Sequence, residues 1–461
     1  MRRLPFPFGP LHFVGIGGIG MSGIAELLYR LGCSVSGSDA AASANTARLE
    51  ALGLTIRVGH DADNLGEAAA VVLSTAVPED NPELQEARRR GLPVLHRSEA
   101  LAAVASLSWP IAVSGTHGKT TTTAMIAAVL EAGGLDPTIV NGGILEGFGS
   151  NAKLGRGDWV VIEADESDRS FLNLPATLAV VTNIEAEHME HYRDLAEIEA
   201  CFAQFADSVP PFGSAIVSVD NEGSRRLAAR CRRPVLRYGF TPDADIRGGG
   251  LVLEAASSWL DVSGLVDIAD LRIGVPGRHN AENALAAVSV GHLLGIPEGA
   301  IRRALDAFRG VQRRFSLTGE VDGVRIIDDY AHHPTEIAAV LATARLGACG
   351  RVMAVMQPHR YTRLSALLDD FAHCFDEADK VLIAPVYAAG EAPIAGASRD
   401  ALVAAARAGG HRDVAAIDGP DDLARRADAW AAPGDTIVCL GAGSITSWAR
   451  ALPDTLREAR K

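Results

Sequence analysis

Lysine, cysteine, aromatic side chains and long apolar runs are all scarce in this sequence of 461 residues. Lysine occurs only at Lys119, Lys153, Lys380 and Lys461, and acidic residues outnumber basic ones, so the formal charge is −14. Nucleic-acid-binding proteins normally carry a basic stripe or patch, and this charge balance argues against that class. No apolar run is long enough to span a bilayer, so we expect no insertion into a membrane.

The cysteines are too few and too scattered for a disulfide framework or a zinc site. None forms a CxxC pair, and this usage predicts reduced thiols in a cytoplasmic protein. Arg2-Arg3 and the apolar residues after it resemble the start of a signal peptide. However, glycines interrupt that stretch and no small-residue cleavage site follows it. The cysteines are Cys33, Cys201, Cys231, Cys349, Cys374 and Cys439.

Aromatic residues make up only 5% of the chain, whereas 47 glycines are present, a bias that suits α/β folds with many strand-to-helix turns. The length exceeds what one hydrophobic core usually supports, and short apolar strands alternate with helical stretches, which indicates parallel sheets. We predict three consecutive α/β domains, at residues 1–107, 108–315 and 316–461. Strands are predicted at Leu11–Ile16, Ser34–Ser38, Ala70–Ser74, Pro93–Leu95, Ile111–Val113, Trp159–Ile162, Leu178–Val181, Ala215–Val219, Val324–Ile327, Val352–Met356, Val381–Ala384 and Ile437–Leu440, and helices at Met21–Leu31, Thr120–Ala132 and Ala281–Leu294.

A glycine-rich turn follows the first predicted strand. The segment Gly15–Gly20 has the pattern G-x-G-x-x-G between a strand and a helix. Such glycines allow a sharp turn and the close approach of a diphosphate, which the helix N-terminus stabilises. Asp39 ends the next strand, where a ribose-binding acid is expected. Alone, the pattern indicates an NAD site, a site for another nucleotide, or a turn without a ligand.

A second loop, Ser114–Thr121, carries the scarce Lys119 between a strand and a helix. Its backbone N–H groups and Lys119 are suited to hold the β- and γ-phosphates of a nucleotide, and the Thr120 hydroxyl is suited to ligate Mg²⁺. The loop is two residues shorter than the standard G-x-x-x-x-G-K-[ST] pattern. Because lysine is so rare in this chain, a chance coincidence of these residues is the weaker interpretation.

Two neighbouring strand ends carry groups suited to a metal. The acidic run Glu163–Asp168 follows one predicted strand, and His188 lies beyond the next. Carboxylates at the C-terminal ends of parallel strands lie where such sheets bind ligands, and hard oxygen atoms suit Mg²⁺. A solvated acidic loop and a structural histidine are the alternatives. The grouping with Lys119 favours one shared metal–phosphate site.

Two polar pairs farther along the chain have simple structural alternatives. Asn280 and Asn283 lie on one face of a predicted helix and suit a purine edge or a phosphate, although Asn280 can simply cap the helix. Arg313-Arg314 stands beside the predicted boundary between the second and third domains, where arginines can reach a phosphate. A solvated basic pair is the alternative.

The third predicted domain carries polar clusters after successive strands. Asp328–Pro334 follows one strand and Gln357–Arg363 follows the next, so both are expected at the same edge of the sheet. Arg360 and Arg363 suit a carboxylate, because guanidinium groups bind carboxylates bidentately. A metal site at the paired histidines is the weaker alternative. Gly441–Ser444 resembles a further anion-binding turn.

In this order, the motifs resemble those of the Mur ligase family from Leu11 to about Ala449. The strings SGTHGKTTTT, EADESDRSFL, DDYAHHPTEI and QPHRYTR are together highly specific, whereas the first glycine pattern alone is not. The other matching strings are HFVGIGGIGMSGIAELL, VTNIEAEHME, GRHNAENALAA, RRF and YAAGEAPI. The resemblance implies an α/β fold with a Rossmann-like N-terminal domain, a central P-loop-type ATPase domain and a Rossmann-like C-terminal domain.

The resemblance also implies a role for each domain. The first holds the UDP of a sugar substrate, the second binds ATP and Mg²⁺, and the third brings the amino acid and closes over the site. The implied UDP-sugar residues are Gly15, Gly17, Gly18, Ile19, Gly20, Asp39, Ser74 and Thr75. The implied ATP residues are Gly115, Thr116, His117, Gly118, Lys119, Thr120, Thr121, Asn280, Asn283, Arg314 and Asp329, with Thr120, Glu163 and His188 as magnesium ligands. The implied amino-acid residues are Tyr330, His333, His359, Arg360 and Arg363, and catalysis is assigned to Lys119, His333, His359 and Arg360.

By resemblance, the chain is expected to join L-alanine to the lactyl carboxylate of UDP-N-acetylmuramate in peptidoglycan synthesis. The carboxylate first attacks ATP to give an acyl phosphate, which the alanine amine then attacks, with His333 or His359 as base. Several sister ligases carry a carbamylated lysine, but here no lysine lies between Lys153 and Lys380. Glu282 and Ala331 depart from the family pattern without removing an expected ligand. We expect a monomer or homodimer with no nucleic-acid partner.

Three other functions stay open at this point. A nicotinamide-dependent dehydrogenase fits Gly15–Gly20 and Asp39 but leaves the Lys119 loop unexplained. A sibling ligase would use the same sugar nucleotide with a recycled peptide or a different first amino acid. A non-catalytic sugar-nucleotide-binding protein is disfavoured because the phosphate loop and the metal ligands look complete.

Overall fold

The computed structural model describes residues 9–145, 149–189 and 191–460. Arg2-Arg3, the start of the predicted first domain and the last residue of the third lie outside these ranges. The chain divides into two compact units. The first comprises Met1–Gly249, Asp261–Leu271 and Glu282–Phe308, and the second comprises Gly250–Leu260, Arg272–Ala281 and Arg309–Lys461. The domain boundaries near residues 107 and 315 remain a prediction.

Strands and helices alternate along most of the chain. The strands are β1 (Leu11–Val14), β2 (Val35–Asp39), β3 (Thr55–Val58), β4 (Ala70–Leu73), β5 (Val94–His96), β6 (Trp109–Ser114), β7 (Thr138–Val140), β8 (Ala152–Lys153), β9 (Trp159–Glu163), β10 (Leu178–Val181), β11 (Ser214–Ser218), β12 (Val235–Gly239), β13 (Ile246–Leu253), β14 (Ser258–Gly264), β15 (Ile268–Ile273), β16 (Ser316–Val321), β17 (Val324–Asp329), β18 (Val352–Met356), β19 (Lys380–Ile383), β20 (Val414–Ala416) and β21 (Thr436–Leu440). The α-helices are α1 (Ile19–Arg30), α2 (Ala44–Ala51), α3 (Pro82–Arg89), α4 (Arg97–Ala105), α5 (Lys119–Ala132), α6 (Leu195–Asp207), α7 (Glu222–Arg230), α8 (Arg278–Leu293), α9 (Glu298–Ala307), α10 (Pro334–Gly347), α11 (Tyr361–Ala366), α12 (Leu368–Phe371), α13 (Arg399–Ala408), α14 (Pro420–Trp430) and α15 (Ile445–Ala459). Short 3₁₀ helices span Ala62–Leu65 and Ser170–Asn173.

The first sheet is parallel throughout, in the order β3-β2-β1-β4-β5. All four residues of β1 are buried, as expected for a central strand covered by helices on both faces. Phe13 of β1 and Leu27 of α1 are both fully buried in the same core. The C-terminal ends of β1, β2 and β4 therefore lie side by side, and the first glycine turn, Asp39 and Ser74 occupy that edge.

The second sheet has the order β15-β14-β13-β12-β11-β10-β6-β9-β7-β8. Within it β6 pairs in parallel with β9 on one side and with β10 on the other. The Lys119 loop follows β6, the acidic run follows β9, and Thr182–His188 follows β10. The parallel pairing thus brings these three segments to one edge of the sheet, as the sequence predicts.

The third sheet has the order β16-β17-β21-β18-β19-β20, with only β16 antiparallel to its neighbour. Because β21 pairs in parallel with both β17 and β18, the ends of these three strands are adjacent. The prediction that Asp328–Pro334 and Gln357–Arg363 share one edge is confirmed, and Gly441–Ser444 follows the strand between them.

All of the predicted strands coincide with observed ones, with ends displaced by at most two residues. Nine of the strands described were not predicted, namely β3, β7, β8, β12, β13, β14, β15, β16 and β20. In β13, β14 and β15, burial alternates with exposure and charged residues are included, so these strands lack the continuous apolar run of a buried parallel strand. Among the residues described, none of the helices is both long enough and apolar enough to cross a bilayer. The cysteines, all within the described ranges, form no disulfide.

Candidate active site

Backbone hydrogen bonds hold the glycine turn of the first sheet. Gly15 N and Ile16 N donate to Ser38 O at 2.8 and 2.9 Å, which ties the end of β1 to the end of β2. Gly17 N donates to Asp39 Oδ2 at 2.9 Å. A Cβ at Gly17 would lie 2.9 Å from that same oxygen, so this close approach requires glycine. Gly18 then precedes Ile19 and Gly20 at the start of α1, and no side chain caps the helix.

Asp39 has a structural role that the sequence did not reveal. Its carboxylate accepts hydrogen bonds from Gly17 N at 2.9 Å and from Ala41 N at 3.3 Å, so it shapes the glycine turn. A contact between Asp39 and a ribose remains a prediction. Ser74 is half-buried and Thr75 is exposed, directly after β4. All of the residues assigned to the UDP-sugar therefore lie at one edge of the first sheet.

A buried carboxylate, Glu83 of α3, is bonded to this edge. It is fully buried and accepts hydrogen bonds from Ser38 Oγ at 2.6 Å and Asn64 Nδ2 at 2.7 Å, and its Oε2 lies 3.2 Å from His12 Nε2. Burial pushes the pKa of Glu83 up, but hydrogen bonds with His12, Asn64 and Ser38 outweigh it and lower the pKa to about 2. The ionised carboxylate thus fixes Ser38, whose backbone carbonyl holds the glycine turn. No sequence pattern predicts this role of Glu83, because its partners are distant in the chain.

The Lys119 loop joins β6 to α5, and two of its glycines are required by their conformation. Gly115 and Gly118 have φ of +141° and +82°, values that side-chain-bearing residues rarely adopt. A Cβ at Gly115 would overlap Thr182 Oγ1, and a Cβ at Gly118 would lie 2.7 Å from Asn283 Oδ1. The loop is therefore closely packed against the segment after β10 and against α8.

The segment after β10 also supports the loop by hydrogen bonds. His117 N donates to Asn183 Oδ1 at 2.7 Å, and Asn183 Nδ2 and Thr182 Oγ1 donate to His117 O at 3.1 and 2.6 Å. Glu185 N donates to Thr116 Oγ1 at 2.9 Å. These bonds fix the loop before a phosphate arrives. These roles of Thr182, Asn183 and Glu185 were not predicted, although the three residues belong to one of the matching strings.

The ammonium group of Lys119 is held by Glu166 and by its own loop. Nζ donates to Gly115 O at 2.7 Å and to Thr116 O at 3.1 Å, and it lies 2.8 and 2.7 Å from the two carboxylate oxygens of Glu166. Burial lowers the pKa of Lys119, but Glu166 and Asp165 outweigh it and raise the pKa to about 12. Burial is also the main cause that raises the pKa of Glu166 to about 7, against the opposing effect of Lys119.

A hydroxyl and a carboxylate lie together at the start of α5. Thr120 Oγ1 donates to Glu163 Oε1 at 3.0 Å, and Gly142 N donates to Glu163 Oε2 at 2.7 Å. Thr120 and its neighbour Thr121 are buried in the first turn of the helix. Mg²⁺ is usually held by one or two protein oxygens together with water and substrate phosphates, so Thr120 and Glu163 fit this ion.

The observed contacts of His188 are with two other carboxylates, those of Glu166 and Glu187. Its Nε2 lies 3.6 Å from Glu166 Oε1 and 3.8 Å from Glu187 Oε2, and its backbone has φ of +59°. Among the described residues, no group of three or more His, Cys, Asp or Glu side chains is placed to hold a metal ion. The role of His188 as a magnesium ligand therefore remains a prediction, whereas its link to Lys119 through Glu166 is an observed contact.

Arg97, at the start of α4, is a second residue that the sequence analysis missed. Its Nη2 donates to Asp165 Oδ2 at 2.8 Å and lies 3.5 Å from Asp168 Oδ2. Burial raises the pKa of Asp165, but Arg97 and Lys119 outweigh it and hold this pKa well below its usual range. The acidic run is thus not a solvated loop, because its carboxylates bond Thr120, Lys119 and Arg97.

The two asparagines at the start of α8 make different contacts. Asn283 is buried, and its Oδ1 accepts a hydrogen bond from Thr122 Oγ1 at 3.0 Å, close to Gly118. Asn280 is also buried, and its Nδ2 donates to Pro276 O at 2.6 Å. Asn280 lies inside the first turn rather than at the cap position. Adenine contacts for both residues remain a prediction.

In the second compact unit, Arg314, Asp329 and Tyr330 lie together. The guanidinium of Arg314 is 5.2 Å from the centre of the Tyr330 ring, and that of Arg313 is 4.6 Å from it. Asp329 accepts hydrogen bonds from Phe315 N and Ala331 N, both at 2.7 Å. Burial raises the pKa of Asp329 to about 6, although Arg314 opposes the shift. The basic pair is therefore not simply solvated.

Four aromatic rings lie in contact at the edge that follows β17, β18 and β19. His332 packs edge-on against Tyr330 at 5.3 Å and lies 5.8 Å from the His359 ring, which stacks on Tyr387 at 5.6 Å. Burial, followed by the charges of His332, Arg363 and Arg360, lowers the pKa of His359 to about 3. His333 is buried at the start of α10. Of the two neighbouring histidines, the one with an observed ring contact to His359 is thus His332, which the sequence analysis did not select.

Arg360 and Arg363 stand at the start of α11. Arg360 has φ of +67°, and its backbone N–H donates to Tyr387 O at 2.9 Å. Glu391 lies 4.0 Å from Arg360 Nη1 and accepts hydrogen bonds from Thr362 N at 3.0 Å and Thr362 Oγ1 at 2.7 Å. The segment Tyr387–Glu391, which belongs to another matching string, therefore fixes the backbone at the start of α11, where both arginines lie.

The glycine turn after β21 is bonded to the same edge. Gly441 has φ of +147°, and its carbonyl accepts a hydrogen bond from Arg313 Nη2 at 2.9 Å. Gln357 Nε2 donates to Ser444 Oγ at 3.0 Å, and Ile445 N donates to Gln357 Oε1 at 3.0 Å. In this structure the turn binds protein groups, so an anion at Gly441–Ser444 remains a prediction.

Three family models match successive parts of the chain. They are described as the Mur ligase family catalytic domain at residues 10–109, the Mur ligase middle domain at 113–291 and the Mur ligase glutamate ligase domain at 313–443. The chain belongs to the Mur ligase family, and the predicted three-domain α/β architecture of that family is confirmed.

Individual relatives narrow the resemblance within the family. The chain is 51% identical to the UDP-N-acetylmuramate–L-alanine ligase of Acidiphilium cryptum over 99% of this chain and 97% of that protein. It is 52% identical to the enzyme of the same name from Agrobacterium fabrum, over 99% of this chain and 98% of that one. The crystal structure of the UDP-N-acetylmuramate–alanine ligase from Thermotoga maritima matches with a TM-score of 0.84 and 29% identity, covering 98% of this chain and 100% of that chain.

Proposed function

We propose that this chain is an ATP-dependent ligase that joins L-alanine to the lactyl carboxylate of UDP-N-acetylmuramate in peptidoglycan synthesis. The observation that carries the proposal is the arrangement at the ends of β6 and β9. This arrangement fits a nucleoside triphosphate, because it combines the ammonium of Lys119, the N-terminus of α5 and the Thr120–Glu163 pair. The names of the relatives supply the substrates.

The first step is phosphorylation of the carboxylate. Expelling oxide from a carboxylate is unfavourable, and attack of the carboxylate on the γ-phosphate of ATP converts that oxygen into a good leaving group. Lys119 and the backbone N–H groups of its loop bind the phosphates, and Thr120 and Glu163, with His188 as a further ligand, would hold Mg²⁺. The ion, when bound, neutralises charge on the phosphoryl group. The products of this step are an acyl phosphate and ADP.

The second step is attack of the alanine amine on the acyl carbon, with release of phosphate. Arg360 and Arg363 recognise the carboxylate of the amino acid as bidentate donors. The amine must lose a proton first. His359 is a candidate to accept it by its place at the sheet edge; burial lowers its pKa to about 3, so the ring is unprotonated at pH 7 but is a weaker base than an ordinary histidine. His333 stays the alternative base, and the ring contact with His359 adds His332. We place the reaction in the cytoplasm, where ATP is available.

The test is phosphate release from ATP with Mg²⁺ and UDP-N-acetylmuramate, scanned over L-alanine, glycine, L-serine and the tripeptide L-Ala-γ-D-Glu-meso-diaminopimelate. The proposal requires turnover that depends on the sugar nucleotide and is fastest with L-alanine. Turnover with the tripeptide alone would instead identify a peptide-recycling ligase. An absorbance change with NAD(P)H in place of phosphate release would identify a dehydrogenase.

A further inference from the structure

Arg97 contacts the acidic run at the edge of the second sheet and lies beside the glycine turn at the edge of the first sheet. It begins α4, directly after β5, and its side chain is 23% exposed. Its Nη1 lies so close to α1 that a Cβ at Gly20 would come within 3.1 Å of it. Gly20 belongs to the first turn of α1, directly after the glycine turn. A full positive charge here adds to the partial positive charge of the helix N-terminus.

The other edge of the guanidinium is fixed by the acidic run. Nη2 donates to Asp165 at 2.8 Å and lies 3.5 Å from Asp168. The same run contains Glu163, which bonds Thr120, and Glu166, which bonds Lys119. One side chain therefore connects the glycine turn of the first sheet with the loop that lines the phosphate site of the second. All of these residues belong to the first compact unit.

The geometry leaves part of the guanidinium available. Arginine carries five N–H donors in a rigid planar fork, which allows it to bind different groups along different edges. The two carboxylates use Nη2, and within residues 9–145, 149–189 and 191–460 no acceptor bonds Nη1. A residue that served only to clamp α4 to the acidic run would not need its second edge beside the glycine turn.

We propose that Arg97 binds the sugar nucleotide, with Nη1 donating to the diphosphate at the glycine turn while Asp165 holds the guanidinium in place. The inference rests on the proposed function for the identity of the ligand. It adds a specificity residue to that function, because a nucleoside diphosphate reaches the guanidinium and a nucleoside monophosphate offers one phosphate fewer. The link to Glu163 and Glu166 then aligns the bound sugar with the phosphate site at Lys119.

The experiment is equilibrium binding by calorimetry, without alanine, to the full-length protein and its variants. Arg97→Met is expected to weaken UDP-N-acetylmuramate and UDP about 10- to 100-fold, while UMP and AMP-PNP change less than about 3-fold. Arg97→Lys is expected to lie between, because an ammonium keeps the charge and loses the fork. Arg89→Met is the matched control. It removes one positive charge from the same unit at a side chain that is 73% exposed and, within the described part of the chain, is bonded to Glu86.

Other results overturn the inference. Unchanged UDP affinity in Arg97→Met would remove the contact with the diphosphate. Equal losses for UDP and AMP-PNP with a lower melting temperature would show a structural clamp. In either case wild-type turnover with L-alanine would leave the proposed function intact. Conversely, the proposed function would be wrong and the inference would hold if the wild type bound UDP through Arg97 but released no phosphate with any amino acid or peptide.

Discussion

The ammonium of Lys119 lies 2.7 Å from Glu166 Oε2 and 2.8 Å from Oε1, so the lysine that would bind a nucleotide phosphate is already paired with a carboxylate. Glu166 is only 3% exposed, and it also lies 3.6 Å from His188 Nε2. An incoming phosphate must therefore share Lys119 with Glu166 or replace it. The pairing keeps a buried cation compensated while no phosphate is bound.

At pH 8, above its pKa of about 7, Glu166 is mostly ionised, and replacing it by Gln removes this competitor for Lys119 and a negative charge beside the phosphate site. We expect AMP-PNP to bind roughly 3- to 10-fold more tightly, because a unit charge at short range contributes about 1 kcal/mol even when well screened. Calorimetric titration of the variant measures it. Glu131→Gln is the matched control, since Glu131 pairs with Lys153 away from the loop. Weaker binding in Glu166→Gln would show that the carboxylate supports the nucleotide instead.

The sequence predicts those parts of the site that depend on local features, and it does not predict contacts between residues that are distant in the chain. Strand ends are local features, and parallel pairing brings them to one edge, so the placement of Lys119, Glu163 and the third-domain clusters could be predicted. Glu83 and Arg97 could not, because their partners are far away in the chain: Ser38 is bonded to Glu83, and Asp165 to Arg97. The choice between His332 and His333 depends on which ring faces His359, and adjacency in sequence does not decide that.

Asp329 makes stability depend on pH. Its folded-state pKa is raised from 3.8 to about 6 by burial, so the folded protein holds this proton more tightly than the unfolded chain. The stabilisation is complete below pH 3.8 and is lost as the pH rises through about 6. Asp329→Asn removes this dependence. Between pH 5 and pH 8, the wild type should lose about 2–4 °C in melting temperature relative to the variant. A difference in melting temperature between the wild type and the variant that is the same at pH 5 and at pH 8 would contradict the assignment. Asp454→Asn, on an exposed side chain, is the control.

Glu83 makes stability depend on pH in the opposite direction from Asp329. Its folded-state pKa is lowered from 4.5 to about 2 by hydrogen bonds that outweigh burial, so its stabilisation is present above pH 4.5 and is lost as the pH falls towards 2. Glu83→Gln keeps the shape but replaces one acceptor oxygen by a donor. We expect a melting temperature lower by about 5–10 °C at pH 7, as for a broken buried polar network, and roughly half that difference or less near pH 3.

The control for this change is Glu86→Gln in the same helix, where the partner Arg89 is 73% exposed. An exposed pair contributes about 1 kcal/mol at most, so this variant should melt within about 3 °C of the wild type. Equal effects of the two substitutions would mean that the network around Glu83 does not stabilise the fold. Because Ser38 holds the glycine turn, weaker binding of UDP by Glu83→Gln is the expected functional consequence.

The histidines of the third sheet can be separated by single and double replacement. The double variant His333→Ala/His359→Ala should lower kcat/KM for L-alanine at least about 100-fold, the usual contribution of a positioned base. The KM for ATP should be unchanged, because both residues are assigned to the amino acid. Intact turnover in the double variant would exclude them as the base, and the same assay on His332→Ala would then test the ring that faces His359.

The pH profile distinguishes His359 from the other two histidines. Its pKa is lowered to about 3, chiefly by burial, so it is unprotonated throughout the range from pH 5 to pH 8. If it is the base, kcat/KM for L-alanine has no acid limb from a histidine in that range, and His359→Ala lowers the whole profile without changing its shape. An acid limb with an apparent pKa of about 6 to 7 that disappears in His332→Ala or His333→Ala would assign the proton transfer to that residue, because 6.5 is the ordinary pKa of histidine.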